Sequence, residues 1–122
     1  MNNPQTIADY YMEQMRHLTN EVVICAYFDV KSRFLGDKFI SKGSLSSSVV
    51  DIGSIIRTAL DKNASKLVLL HNHPSGDCTP SRNDIAVTDR LIEGSGIFSI
   101  ELCDHIIIGD NEYYSFYDNK LI

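Results

Sequence analysis

The 122-residue sequence contains no apolar run near the roughly 18 residues that a membrane-spanning helix requires. Its opening residues, MNNPQTIADYY, lack the basic-then-apolar pattern of a secretory leader. No segment repeats with a period of about 20 to 50 residues and none is low in complexity, which excludes a solenoid. These absences lead to the expectation of a soluble, cytoplasmic protein with no membrane partner. Cysteine is scarce as well. Cys25, Cys78 and Cys103 are odd in number, form no CxxC pair and lack the density of a disulfide scaffold. Cys25 and Cys103 lie in apolar runs and read as small core residues, whereas Cys78 lies in a polar loop beside histidines. Positive charge is also short, with eleven Lys and Arg against sixteen Asp and Glu and a net charge of -5. That is the wrong sign for a protein whose main task is neutralising phosphates. The basic residues are scattered without a cluster, so direct nucleic-acid binding is not expected.

What is present suits one compact domain over residues 1–122, with 43% hydrophobic residues to build a core without disulfide staples. Pro4 to Leu18 places Ile7, Tyr11, Met15 and Leu18 near helical spacing, so residues 1–19 are expected to form an N-terminal helix ahead of a core over 20–122. EVVICAYFDV from Glu21 and the following RFLGDKFIS read as two strands of a hairpin around a polar turn, Asp29 to Arg33. Ser46, Ser47 and Ser48 offer caps to a second helix whose apolar stripe is Val49, Ile52, Ile55, Ile56 and Leu60. KLVLL, Lys66 to Leu70, reads as a central strand covered on both faces. It leads into a Pro- and Gly-bearing loop, His71 to Asp84. Helix is expected again from Arg82 to about Glu93, closed by Gly94 or Gly96. Two strand-like runs around Asp104-His105 and a last strand over Tyr113 to Tyr117 complete the chain. The order argues for an α/β sandwich around a mixed sheet rather than a doubly wound parallel one.

The chemistry concentrates in the loop. Residues two apart on a strand share a face, so His71 and His73 would project two imidazoles to one side, which suits one metal ion. Ser81 and Asp84 extend the pair to H-x-H-x7-S-x2-D. Ser81-Arg82-Asn83-Asp84 also fits a capping box, in which serine hydroxyl and acid satisfy free backbone donors at a helix start. Capping and ligation would then share one turn, and Ser81 could do either job. Two histidines and a carboxylate leave the fourth position of a tetrahedral zinc open for water, as in catalytic rather than structural sites. Hydrolysis also needs a proton-transferring carboxylate. Glu21, opening the first strand, is the best-placed candidate, although spacing alone leaves it equally readable as a solvated charge. A Cys78 ligand would close the site, but Asp84 already completes the set. His105, beside Asp104, reads as a structural hydrogen-bonder or a partner of the ligands, and His17 as an exposed side chain.

With these residues in place, the sequence resembles the JAMM (also called MPN+ or JAB) metalloproteases, whose signature is a Glu followed far downstream by H-x-H-x7-S-x2-D. Within that superfamily HNHPSG...PS..D is similar to the bacterial RadC family. The likeness runs from Asn20-Glu21-Val22 through Asp104-His105-Ile106-Ile107-Ile108-Gly109 to Tyr114-Ser115-Phe116. It implies a JAB/MPN-type, cytidine-deaminase-like α/β fold with a mixed sheet sandwiched by helices. It further implies a zinc ion held by His71, His73 and Asp84, with Glu21 as general acid/base and the Ser81 hydroxyl on the oxyanion. The reaction implied is hydrolysis of a peptide or isopeptide bond in a peptide or protein substrate. Longer RadC members carry an N-terminal helix-hairpin-helix region that is not found in these 122 residues. Two other readings compete: a non-catalytic interaction module and a DNA-repair-associated accessory protein. The complete signature argues against the first, and the scattered basic residues argue against the second.

Overall fold

The computed structural model describes residues 3–45 and 50–122. Helix α1 (Pro4–Met15) starts on Asn3, whose side chain accepts the Thr6 N–H at 2.9 Å. Pro4 fills the first helical position, where a missing N–H is harmless. The helix buries Ile7, Ala8, Tyr11 and Met15 and stops short of Leu18. Strands β1 (Val22–Phe28) and β2 (Phe34–Lys42) then pair antiparallel. Their turn is held by Asp29, which accepts the N–H groups of Lys31 and Arg33, each at 2.9 Å.

Helix α2 (Ile52–Asp61) is capped by Asp51, which accepts the Ser54 N–H at 3.0 Å. The expected serine caps, Ser46, Ser47 and Ser48, and the stripe residue Val49 lie outside the described residues. Ile55, Ile56 and Ala59 are buried, but Leu60 is 49% exposed. Ala59 carries the buried face onward, and Leu60, about 100° further round the helix, turns out of it. Strand β3 (Lys66–Asn72) extends past KLVLL through His71 and Asn72, both buried.

Helix α3 (Arg82–Ile97) runs through both glycines expected to close it. A Cβ on Gly94 would meet Ile52 Cγ2 at 3.2 Å and Ile56 Cδ1 at 3.4 Å, so this glycine lets α3 lie close against α2. The chain turns later, at Ser99, with φ +58°. The two runs around Asp104-His105 form one strand, β4 (Glu101–Ile108), because the polar groups of both residues find partners inside the protein. Strand β5 (Tyr113–Ser115) ends two residues earlier than expected.

The sheet order is β2-β1-β3-β4-β5, with β3 and β4 parallel and the other pairs antiparallel. Helix α1 covers one face over Ile24, Ala26, Val68, Leu70 and Ile106. Helices α2 and α3 cover the other over Val23, Cys25, Leu67 and Leu69. The fold is therefore a mixed five-stranded sheet between helices, as the sequence order implies. One irregularity matters for the site. Leu67 pairs with Leu102 but Val68 pairs with Asp104, so Cys103 is an extra residue in β4. Such a bulge reverses the in-out alternation beyond it. Leu102 packs on the α2–α3 side, yet Ile106 and Ile108 pack on the α1 side, and His105 is turned to the face that carries His71. Among the described residues no helix is long and apolar enough to cross a membrane.

Candidate metal centre

His71 lies one residue before the carboxyl end of β3, and the chain leaves the sheet after Asn72. The His73 N–H donates to Ile108 O at 2.9 Å, which holds the first loop residue against β4. The loop then folds back to Ser81, the cap of α3. Both bonds of the capping box form: the Asp84 N–H donates to Ser81 Oγ at 3.1 Å, and the Ser81 N–H donates to Asp84 Oδ2 at 2.7 Å. The cap fixes the Asp84 carboxylate in the first helical turn, where it faces both imidazoles. His71 Nε2 lies 3.1 Å from Asp84 Oδ1, His73 Nε2 lies 3.2 Å from Asp84 Oδ2, and the two Nε2 atoms are 3.0 Å apart. Among the described residues, His71, His73 and Asp84 are the one group of three or more such side chains able to hold a metal ion, with ligand atoms all within 4.8 Å of one another. Capping and convergence on the histidines thus coexist in one turn.

The electrostatics agree with the geometry. Burial opposes charge on Asp84, but the ring nitrogens of His71 and His73 and the Ser81 N–H outweigh it and hold the carboxyl well below the usual range. The Asp84 carboxylate raises the His73 pKa against desolvation, with help from the Asp77 carbonyl and the Glu21 charge. His73 Nδ1 faces the Asp77 carbonyl at 2.8 Å. A carbonyl only accepts, so Nδ1 carries the hydrogen and the neutral ring presents the Nε2 lone pair to the centre. A carboxylate and imidazole nitrogens meeting at one point with the ring's other nitrogen fixed this way form a donor set that fits a cation.

Glu21 immediately precedes β1, and its Oε2 accepts the Leu45 N–H at 2.9 Å. The residue that sets its place was not singled out from the sequence. Asn72, buried between the two histidines in the chain, accepts the Val22 N–H at 2.7 Å and donates to Asn20 O at 3.0 Å. It grips the backbone on both sides of Glu21. The signal for it was weak, since an Asn between two candidate ligands reads as a spacer.

Cys78 is not part of the centre. Its Sγ lies 3.6 Å from a Glu112 carboxylate oxygen, and partial burial and that charge push the thiol upward, away from the thiolate a metal would require. Burial pushes the thiols of Cys25 and Cys103 up to about 12 and about 11. His17 is exposed, 3.4 Å from Glu13. His105 is wholly buried behind the centre: its Nε2 is 2.7 Å from His71 Nδ1 and its Nδ1 is 2.6 Å from Thr88 Oγ1. Its ring stacks on Phe116 with centroids 4.5 Å apart. Desolvation, with the neighbouring His71 second, holds its pKa well below the usual histidine value.

The RadC-like JAB domain family matches residues 1–121. The chain belongs to that family. It is 43% identical over 120 residues, 98% of its length, to a UPF0758 protein of Clostridioides difficile, and covers 51% of that relative. It is 45% identical over 122 residues, all of its length, to a UPF0758 protein of Desulfitobacterium hafniense, covering 54% of it. A UPF0758 protein of Bacillus cereus is 44% identical over 115 residues, which is 94% of this chain and 51% of the relative. This RadC-like JAB domain therefore spans about half the length of the curated relatives it matches. In its fold, the histidine pair flanks the last residue of β3, Asn72, and the acid lies in the first turn of the following α3 helix, so the β3-α3 crossover itself assembles the centre.

Proposed function

We propose that this domain is a zinc-dependent hydrolase that cleaves a peptide or isopeptide bond in a peptide or protein substrate. The observation that carries this reading is the convergence of His71 Nε2, His73 Nε2 and the Asp84 carboxylate, with closest approaches of 3.0, 3.1 and 3.2 Å. Ligands roughly 2.0 Å from one tetrahedral zinc stand about 3.3 Å apart, and three protein ligands leave one position open. When bound, zinc supplies Lewis acidity that polarises a carbonyl and acidifies water. The chain's own residues do the rest. Leu45 orients the Glu21 carboxylate, which takes the proton from the attacking water and returns it to the leaving amine. Ser81 uses an oxygen lone pair to cap α3, which leaves its hydroxyl proton to donate to the developing oxyanion.

The test pairs metal analysis with turnover on a library of peptides and isopeptides. Wild type should retain about one zinc per chain, and His71→Ala or His73→Ala should retain none. Glu21→Gln should keep its zinc and lose about 10²- to 10⁴-fold in hydrolysis. A wild-type protein that holds no zinc, or equal hydrolysis by wild type and Glu21→Gln, would overturn the proposal.

A further inference from the structure

We propose that Thr88 and His105 are positioning residues that decide which ring nitrogen of His71 carries its hydrogen, through a one-way chain of hydrogen bonds running from His71 to His105 to Thr88 to the Asp84 backbone. This rests on the reading above that His71 holds zinc. The direction of the chain follows from its far end. Thr88 Oγ1 donates to the Asp84 carbonyl at 2.8 Å, and a hydroxyl has one hydrogen to give. Toward His105, 2.6 Å away, Thr88 is therefore an acceptor, and His105 Nδ1 must be the donor. The His105 ring is wholly buried, and its two nitrogens meet a hydroxyl and another imidazole, with no carboxylate bonded to either. It is neutral with its one ring hydrogen on Nδ1, so Nε2 accepts. His71 Nδ1, 2.7 Å away, then donates. In neutral His71, the form that can ligate a metal, the lone pair is then on Nε2, the nitrogen that faces His73 and Asp84. The chain is closed at both ends by Asp84, whose side chain faces the centre while its carbonyl anchors Thr88 one helical turn on.

The fold makes a specific provision for this arrangement. Without the extra residue Cys103 in β4, strand alternation would send His105 to the α1 face, away from His71 and Thr88. Asp104, which then faces the α1 side, accepts the His105 N–H at 2.8 Å and the Tyr117 N–H at 2.9 Å, and Ser115 Oγ donates to it at 2.6 Å. These bonds hold the strand in its bulged path, and stacking on Phe116 holds the ring.

The decisive substitution touches no ligand side chain. Thr88→Val keeps the shape but removes the acceptor for His105 Nδ1–H. The hydrogen then prefers Nε2, where it points at His71 Nδ1 and drives the His71 hydrogen onto the nitrogen meant for the metal. Zinc affinity, read by competition with a chromophoric chelator, should fall about 10- to 100-fold in Thr88→Val. It should return to near the wild-type value in Thr88→Ser, which keeps the hydroxyl. Long-range ¹⁵N–¹H spectra of zinc-loaded wild type should show His105 protonated on Nδ1 and bare on Nε2. Melting curves identify a variant that has lost its fold, and the wild-type spectrum decides the tautomer without any variant. Zinc binding with His105 protonated on Nε2, or with undiminished affinity in folded Thr88→Val, would overturn the relay alone. Failure of wild type to bind zinc at all would overturn both the relay and the hydrolase reading beneath it.

Discussion

A Cβ placed on Gly109 would lie 2.4 Å from the Gly76 carbonyl oxygen. No side chain fits there, because the turn after β4 and the loop after His73 meet backbone to backbone. The same Gly76 carbonyl accepts the Asp110 N–H at 3.1 Å, and the Gly76 N–H donates to His73 O at 2.9 Å. Gly109 thus matters for how closely the His73 loop can approach β4. Gly109→Ala should force the two segments apart, cost about 1 to 3 kcal/mol as overpacking does, and weaken zinc binding by displacing His73. A thermal melt and a zinc titration check both parts. Unchanged zinc affinity in a destabilised Gly109→Ala protein would show that His73 keeps its place without the backbone contact.

The ligand candidates were legible because their chemistry follows chain order: a histidine pair straddles the end of a strand and an acid opens the next helix. The hairpin, the central strand and the capping box at Ser81 were legible for the same local reasons. What could not be read depended on three-dimensional register. Thr88 lies four residues after Asp84 and looks like any small helix residue until the β3-α3-β4 unit brings it to His105. His105 itself was ambiguous, because one bulge residue, Cys103, decides which face it takes, and alternation alone gives the opposite face. Gly94 misled as a helix stop because its role is contact with Ile52 and Ile56, on a helix distant in sequence.

Asn72 should act on Glu21 without touching it. Its amide joins Asn20 and Val22, so Asn72→Ala removes both restraints and leaves the half-buried Val22 N–H without this partner. Stability should fall by about 1 to 3 kcal/mol. If the grip serves to aim Glu21, hydrolysis per folded, zinc-loaded molecule should fall at least about tenfold as well. Full turnover alongside a lowered melt would confine Asn72 to a structural part.

Asp104 gives a pH signature on the opposite face of the sheet. Burial raises its carboxyl above 3.8 despite bonds from Ser115, Tyr117 and His105. The folded state therefore binds the proton more tightly than the unfolded chain. That contribution is fully present below pH 3.8 and is lost as pH rises through the folded value. Asp104→Asn keeps a similar shape and removes the titration. Wild type should therefore lose stability relative to Asp104→Asn between pH 4 and pH 7. Asp104→Ala leaves three donors, two of them buried, without their acceptor and should cost roughly 3 kcal/mol at either pH. Denaturant unfolding at the two pH values measures all three proteins. A gain by wild type on Asp104→Asn as pH rises would contradict the assigned direction.

Ser81 is the residue whose two roles the cap geometry allows at once. As the cap of α3, its oxygen accepts the Asp84 N–H at 3.1 Å. Ser81→Ala should therefore lower stability by about 1 kcal/mol whatever else the residue does. The cap also sets the position of Asp84, so zinc content must be measured first and turnover expressed per zinc-loaded molecule. If the hydroxyl proton meets the oxyanion, kcat should then fall by roughly 10²-fold or more, because a fixed donor aimed at the developing charge acts chiefly on the transition state. KM should change little, since the ground-state carbonyl gains less from that bond. Ser81→Thr, which caps well and keeps a hydroxyl, should recover the stability and part of the kcat. A Ser81→Ala protein with a lowered melt, full zinc and unchanged kcat would leave the hydroxyl to the helix alone.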